Sequence, residues 1–431
     1  MTQPATQLAK TLTLQGAVAL ALGICIGAGL LVLTGLAYQQ SGDAAIYAWV
    51  IDGLMIVPIL AILAYLGATH PNAEGVAGIV RSAFGRNAGV AVQALLIGTF
   101  SLGLPGISIV GGNYFAFLIG GGREAGLAAS AAILMFAGLS NYFGARLSGG
   151  IQRILTFSLL VIITLVAVSA LALGDHSAGA GIAAPDQWHG AIPSLNVIFF
   201  AFAGWVLVAS TVEEYKNPAR DYPLAVFISF AIVFTLYVLI AFATQLMLSR
   251  SDPNLATAPV AAILAALVGS ASAKVVAIVG VLIVAANLNG ATWGFSRLVM
   301  ASARNGLLPS RLSIVSAKYQ VPTNAVIAST AIFVAVLTLY AVQFVSLSTL
   351  FGLAGQNFFI LYLLCVVSFI RKTTNMWLRL AAALLTVLYL LWAGSYGLKL
   401  LYPLFLMCFG IAALYLKERS VQLSVAHGPK Q

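Results

Sequence analysis

The chain has 431 residues, of which 61% are hydrophobic and only 7% charged, with a formal net charge of +10. A soluble domain carries about 25% charged residues, so the composition excludes one and predicts an all-α polytopic membrane protein. The excess of positive charge does not point to nucleic acid, because the basic residues are too few and too scattered to form a patch.

The first apolar run follows Lys10 and continues for 32 uncharged residues to Asp43. That is too long for the apolar core of a signal peptide, so it reads as a retained span. A membrane helix needs about 20 apolar residues. Segments of this kind centre on 15–39, 44–68, 90–119, 124–140, 151–173, 192–212, 223–247, 275–300, 323–341, 346–370, 380–397 and 400–416, twelve in all. Another apolar stretch, 253–273, is solid only from Ala261 to Val268, too short to span, and reads as a re-entrant or interfacial helix. Loop charge supports this count. With twelve spans and a cytoplasmic amino terminus, 17 of the 21 basic residues fall inside, and only Arg123, Arg250, Lys274 and Lys399 fall outside. Both termini are then cytoplasmic. Cys25, Cys365 and Cys408 all lie in apolar runs, odd in number and widely spaced, which reads as core packing rather than a disulfide or metal site.

Span 1 contains "GICIGAGLLVLTG", with Gly27-Ala28-Gly29 at mid-span, and span 6 contains "FFAFAGW", Phe199 to Trp205, with Gly204. Glycine in a membrane helix also allows close packing, the reading kept for Gly23 and Gly35. Two interruptions at matching places suggest more. Spans 1–5 and 6–10 form a predicted five-plus-five repeat of opposite topology, with two carboxy-terminal helices added. The boundaries are a tail over 1–13, a first repeat over 14–173, a second over 174–370, helices 11 and 12 over 371–416, and a tail over 417–431. An amphipathic stretch follows span 2, and 253–273 holds the corresponding place after span 7. Inverted repeats with discontinuous first helices are the sequence pointer to an alternating-access transporter. Amides at a half-helix amino end suit a carboxylate, and freed carbonyls suit an ammonium, so an amino acid fits.

Five motifs now occur in order: "GICIGAGLL", "HPNAEGVAGIVRSAFGR", "NYFGARLSGGIQRILT", "STVEEYKNPARDYPLA", and "FSRLVMASARNGLLPSRL" with "VPTNA". Together they resemble the amino acid–polyamine–organocation (APC) permeases. "GLPGISIVGGNYF" and the loop after span 6 look most like the bacterial exporters of methionine and branched-chain amino acids. The resemblance implies a twelve-helix permease of a bacterial inner membrane, an amino acid and lipid as partners, no nucleic acid, a monomer or homodimer, and no enzyme activity. It implies no cofactor beyond coupling to H+ or Na+. It puts Ile26, Gly27, Ala28 and Gly29 beside the substrate carboxylate, with Ile24 and Cys25 close by. Phe200, Phe202, Ala203 and Gly204 would supply carbonyls and an apolar gate.

The spans hold almost no charge to partner a charged substrate side chain, so the substrate is expected to be a neutral, apolar amino acid. Trp293 is expected to line the pocket or simply to pack. Asp52 is the one acid inside a span, on the order of 12 Å deep, and reads either as a coupling group or as an acid in a polar crevice. Asn289, Thr292 and Ser296 could hold a cation or join helices. The sequence departs from the APC pattern where Glu74 replaces a glycine, where Val206 replaces a glutamate tied to proton response, and where Ser158 or Leu159 stands for a span 5 lysine. Coupling and direction are left open, with importer, exchanger and a sensor or channel as alternatives. An intramembrane enzyme would need paired acids, a metal cluster or an activated nucleophile at depth. His70, His176, His189 and His427 show no metal-ligand spacing.

Overall fold

Local sequence sets where the helices start and stop. Thr13 caps the first, its hydroxyl accepting the Gly16 amide at 3.4 Å. Ser346 and Asn375 cap two later helices in the same way, at 3.0 Å to Thr349 N and to Trp377 N. Gly120, left-handed at φ 65°, ends the third long helix, and Gly121 N donates to Ala116 O at 2.8 Å, the six-to-one closure that glycine permits.

The computed structural model describes residues 12–27, 29–69, 75–144, 149–174, 181–209, 211–212, 215–319 and 321–426. Its helices are α1 (Leu14–Cys25), α2 (Thr34–Ser41), α3 (Ala45–Thr69), α4 (Gly75–Phe84), α5 (Arg86–Ile119), α6 (Arg123–Tyr142), α7 (Gly149–Leu173) and α8 (Ile192–Phe199). They continue with α9 (Gly204–Ala209), α10 (Pro218–Met247), α11 (Pro259–Val268), α12 (Ser270–Arg304), α13 (Thr323–Ala341), α14 (Leu347–Lys372), α15 (Met376–Tyr396) and α16 (Leu401–Ala426). Among the described residues the β pairing is a single parallel bridge between Leu12 and Tyr215. The chain is an all-α, polytopic membrane protein. Nine stretches of the described residues are long and apolar enough to cross a membrane. One of them, Gly29–Thr69, takes in the end of predicted span 1 and all of span 2.

The two short helices expected outside the spans are present as α4 and as α11, the latter only 10 residues long and followed at once by α12. One boundary differs. The expected tail over 417–431 begins inside α16, which runs to Ala426. Nothing in "LKERSVQLSVA" stops a helix, since its residues are fair to good helix formers.

The centre is aromatic. Trp49, Phe199, Phe202, Trp205 and Tyr237 are fully buried. Trp49 packs on Tyr237 at 5.0 Å between ring centres, and Phe202 meets Tyr237 edge-on at 5.6 Å. Close helix crossings fall at glycines. A side chain on Gly35 would strike the Leu255 carbonyl, and one on Gly355 would strike the Asn196 backbone.

Candidate functional site

The helix of span 1 stops at Cys25. Ile26 turns extended (φ −83°, ψ 107°), and a π-helical turn resumes over Gly29–Leu33 before α2. Span 6 behaves differently. Its backbone never leaves helical angles at this point but tightens to a 3₁₀ turn over Phe200–Ala203 between α8 and α9. The expected break is therefore a narrowing there and an unwinding in span 1. The chain leaves the helix at Ile26, and Cβ-free Gly29 then lets it approach Tyr237 and Ala201 closely.

A freed backbone group inside a membrane costs several kcal/mol unless something satisfies it. Here side chains from four surrounding helices do so. Asn287 of α12 donates to Gly23 O at 3.2 Å. Tyr237 of α10 directs its hydroxyl at Cys25 O (3.0 Å) and Ala201 O (3.2 Å) together. Tyr362 of α14 donates to Phe202 O at 2.8 Å, and Tyr114 of α5 to Leu31 O at 2.7 Å. The two interruptions also touch. A Cβ on Gly204 would lie 2.6 Å from the Cys25 sulfur, and one on Gly29 would lie 2.8 Å from the Tyr237 oxygen.

A cavity opens where they meet. It is lined by Ile24, Cys25, Gly27, Gly29, Phe200, Ala203 and Gly204 of the expected set. Phe100, Leu104, Ile107, Ala201, Tyr237, Asn287, Ala291 and Phe358 complete it. Among the described residues the lining has no acid, lysine, arginine or histidine. Its polar groups are backbone, the Cys25 thiol, the Tyr237 hydroxyl and the Asn287 amide. Phe200 closes one wall, its ring tilted against Phe351 at 4.8 Å and facing Phe358 at 6.1 Å between centres.

Other expected residues lie elsewhere. Ile26 and Phe202 are buried beside the cavity without lining it. Ala28 lies outside the described residues. Trp293 points away, about a third exposed, with the Arg297 guanidinium 4.3 Å over its ring. Asn289 is paired, since its side-chain and backbone oxygens accept from Asn141 Nδ2 at 2.9 and 3.0 Å. Ser296 donates to Trp293 O at 2.8 Å and accepts from Arg297. Thr292 is buried, and its hydroxyl has no hydrogen-bond partner among the described residues. Asp52 is fully buried in α3, away from the lining. Among the described residues no group of His, Cys, Asp and Glu is placed to hold a metal ion.

Contacts tie the flanking segments at both ends. At one end Ser41 donates to Ser194 Oγ at 2.8 Å and Gln40 to Ser348 Oγ at 2.8 Å, joining α2, α8 and α14. At the other, Lys216 N donates to Leu12 O at 2.9 Å beside the Leu12–Tyr215 bridge.

Comparison with known proteins agrees with this architecture. A family model described as amino acid permease matches residues 12–423. The uncharacterized amino acid permease YecA of Bacillus subtilis (strain 168) is 26% identical over 420 residues, covering 96% of this chain and 97% of that one. The L-methionine/branched-chain amino acid exporter YjeH of Escherichia coli (strain K12) is 25% identical over 386 residues, covering 89% and 90%. Among solved structures, a point mutant of the manganese transporter of Eremococcus coleocola superposes with a TM-score of 0.58 over 98% of this chain and 97% of that one, at 12% identity. That likeness is one of fold.

Proposed function

The chain belongs to the amino acid permease family, and on that premise we propose that it is a secondary active transporter of neutral, apolar amino acids. The observation that carries this is the junction of the two interrupted helices, with backbone for the substrate's charged ends and apolar walls without a charged side chain. Amides at Gly27, Ala28 and Gly29 receive the carboxylate. The carboxy-terminal end of α1 and the 3₁₀ carbonyls receive the ammonium. A charged substrate side chain would find no partner on these walls.

The site works by alternating access in a bacterial inner membrane, with twelve spans, two inverted repeats and both termini cytoplasmic. Transport runs outward, for methionine, leucine, isoleucine and valine. The Escherichia coli relative, an exporter of L-methionine and branched-chain amino acids, supports this direction.

Saturable, stereoselective flux of labelled leucine in proteoliposomes tests the reading. Methionine, isoleucine and valine should compete, and arginine and glutamate should not. Ohmic, non-saturating conductance would overturn it. Lower intracellular leucine in dipeptide-fed cells that carry the gene would support export.

A further inference from the structure

Asp52 is fully buried, and neither of its carboxyl oxygens has a hydrogen-bond partner among the described residues. It lies 7 residues into α3. An ionised carboxylate in such a place lacks every donor that ordinarily offsets its desolvation, whereas a neutral acid carries no charge to desolvate.

The surrounding groups give it no counter-charge. Tyr389 of α15 lies within electrostatic reach of the carboxyl. Its hydroxyl donates to Met55 O at 3.1 Å, on the same stretch of α3. From α10, Tyr222 meets α3 at Gly67 and Tyr237 at Trp49, and α14, which carries Tyr362 and Cys365, also packs on α3. Tyr237 and Tyr362 are committed to the carbonyls of the interrupted helices. Tyr38 of α2, Tyr47 and Tyr65 on α3 itself, Asp221 at the start of α10, and Asp43, Asp186 and His189 in the turns beyond the first end of α3 are further titratable groups on these elements. The bases on neighbouring helices, Arg220, Arg371, Lys372 and Arg379, stand toward the far end of α3. The pairing of Gly67 with Tyr222 and of Tyr65 with Phe369 fixes that direction. Lys399 lies in the turn after α15.

The position also has a mechanical meaning. One turn before Asp52, Trp49 packs on Phe202 and Tyr237, beside the cavity. α3 runs along α10 and beside the interrupted helices, while α15 packs on α14 and reaches α3 through the Tyr389 hydroxyl on Met55 O. Asp52 therefore sits on a seam between the part of the bundle that holds the site and the part outside it.

We propose that Asp52 is the proton-carrying site of the transport cycle. With the seam shut, the carboxyl holds its proton. When α3 and α15 part, the O–H bond breaks, the proton passes to water and a carboxylate remains, to be reprotonated before the seam can shut again. This rests on the transporter reading. It makes leucine movement and proton movement obligatorily linked.

The test uses the purified full-length protein in proteoliposomes, with labelled leucine as probe. Counterflow exchange at equal pH on both sides reports transport alone, and its absence in the wild type would sink the transporter reading itself. An imposed pH difference of one unit should hold a leucine gradient of up to about tenfold if one proton moves per leucine. Asp52→Asn should keep counterflow and lose this gradient. Wild-type counterflow with no response to pH, or an Asn variant that still follows the pH difference, would overturn the proton assignment. Should Asp52→Asn fail to insert, Asp52→Glu keeps the acid and should shift the pH midpoint of gradient-driven uptake. An unshifted midpoint would overturn it too.

Discussion

Gly204 faces Cys25 so closely that a single added methyl would come within 2.6 Å of the sulfur and 2.9 Å of its Cα. The contact holds the interrupted stretches of two distant segments against each other. Gly204→Ala has to push them apart, and overpacking of this kind costs about 1–3 kcal/mol. We expect leucine counterflow to fall by at least about tenfold, with membrane insertion unchanged. Wild-type counterflow would show that the stretches separate freely.

Tyr237→Phe removes one hydroxyl and leaves the Cys25 and Ala201 carbonyls without it. An unsatisfied buried group costs about 1–3 kcal/mol. Leucine affinity should drop by roughly 5- to 150-fold, while the thermal midpoint in detergent falls by only a few degrees. Gly29→Ala drives a methyl into the same hydroxyl and should give a similar loss. The two changes combined should cost much less than their sum, which a double-mutant cycle measures.

The buried Asn141–Asn289 pair joins α6 to α12. Hydrogen bonds of this kind between membrane helices are worth about 0.6 kcal/mol on average and up to about 1.7. A cycle over Asn141→Ala and Asn289→Ala, read by thermal unfolding, should return a coupling in that range. Replacing sodium by choline should leave leucine flux unchanged, as the proton assignment of Asp52 requires. A flux that collapses without sodium would contradict this.

Phe200 fills the space between Phe351, Phe358 and Gly103. Phe200→Ala should widen the apolar wall and raise competition by phenylalanine or tryptophan relative to leucine by about tenfold, within the range usual for hydrophobic pockets. Unchanged selectivity would place the substrate side chain elsewhere.

Much of this was legible in the residues because apolar length and mid-span glycine are local signals. Gly27, Gly29 and Gly204 could be picked out from their positions alone. Tyr237 could not, since a lone tyrosine in "FTLYVLI" reads as packing until the fold places its hydroxyl beside two carbonyls 212 and 36 residues away. Trp293 was misleading for a reason of helical phase. Asn287 and Ala291, four apart, share the cavity face of α12, and a residue two further on points roughly the opposite way. The narrowing of span 6 was hidden as well, because a 3₁₀ turn needs no glycine and leaves no mark in "FAFA".

The Leu12–Tyr215 bridge and the Lys216–Leu12 hydrogen bond fasten the start of α1 to the chain just past α9. Swinging α1 outward by itself would tear both. A motion that kept them whole would have to carry α1 and the chain just past α9 together.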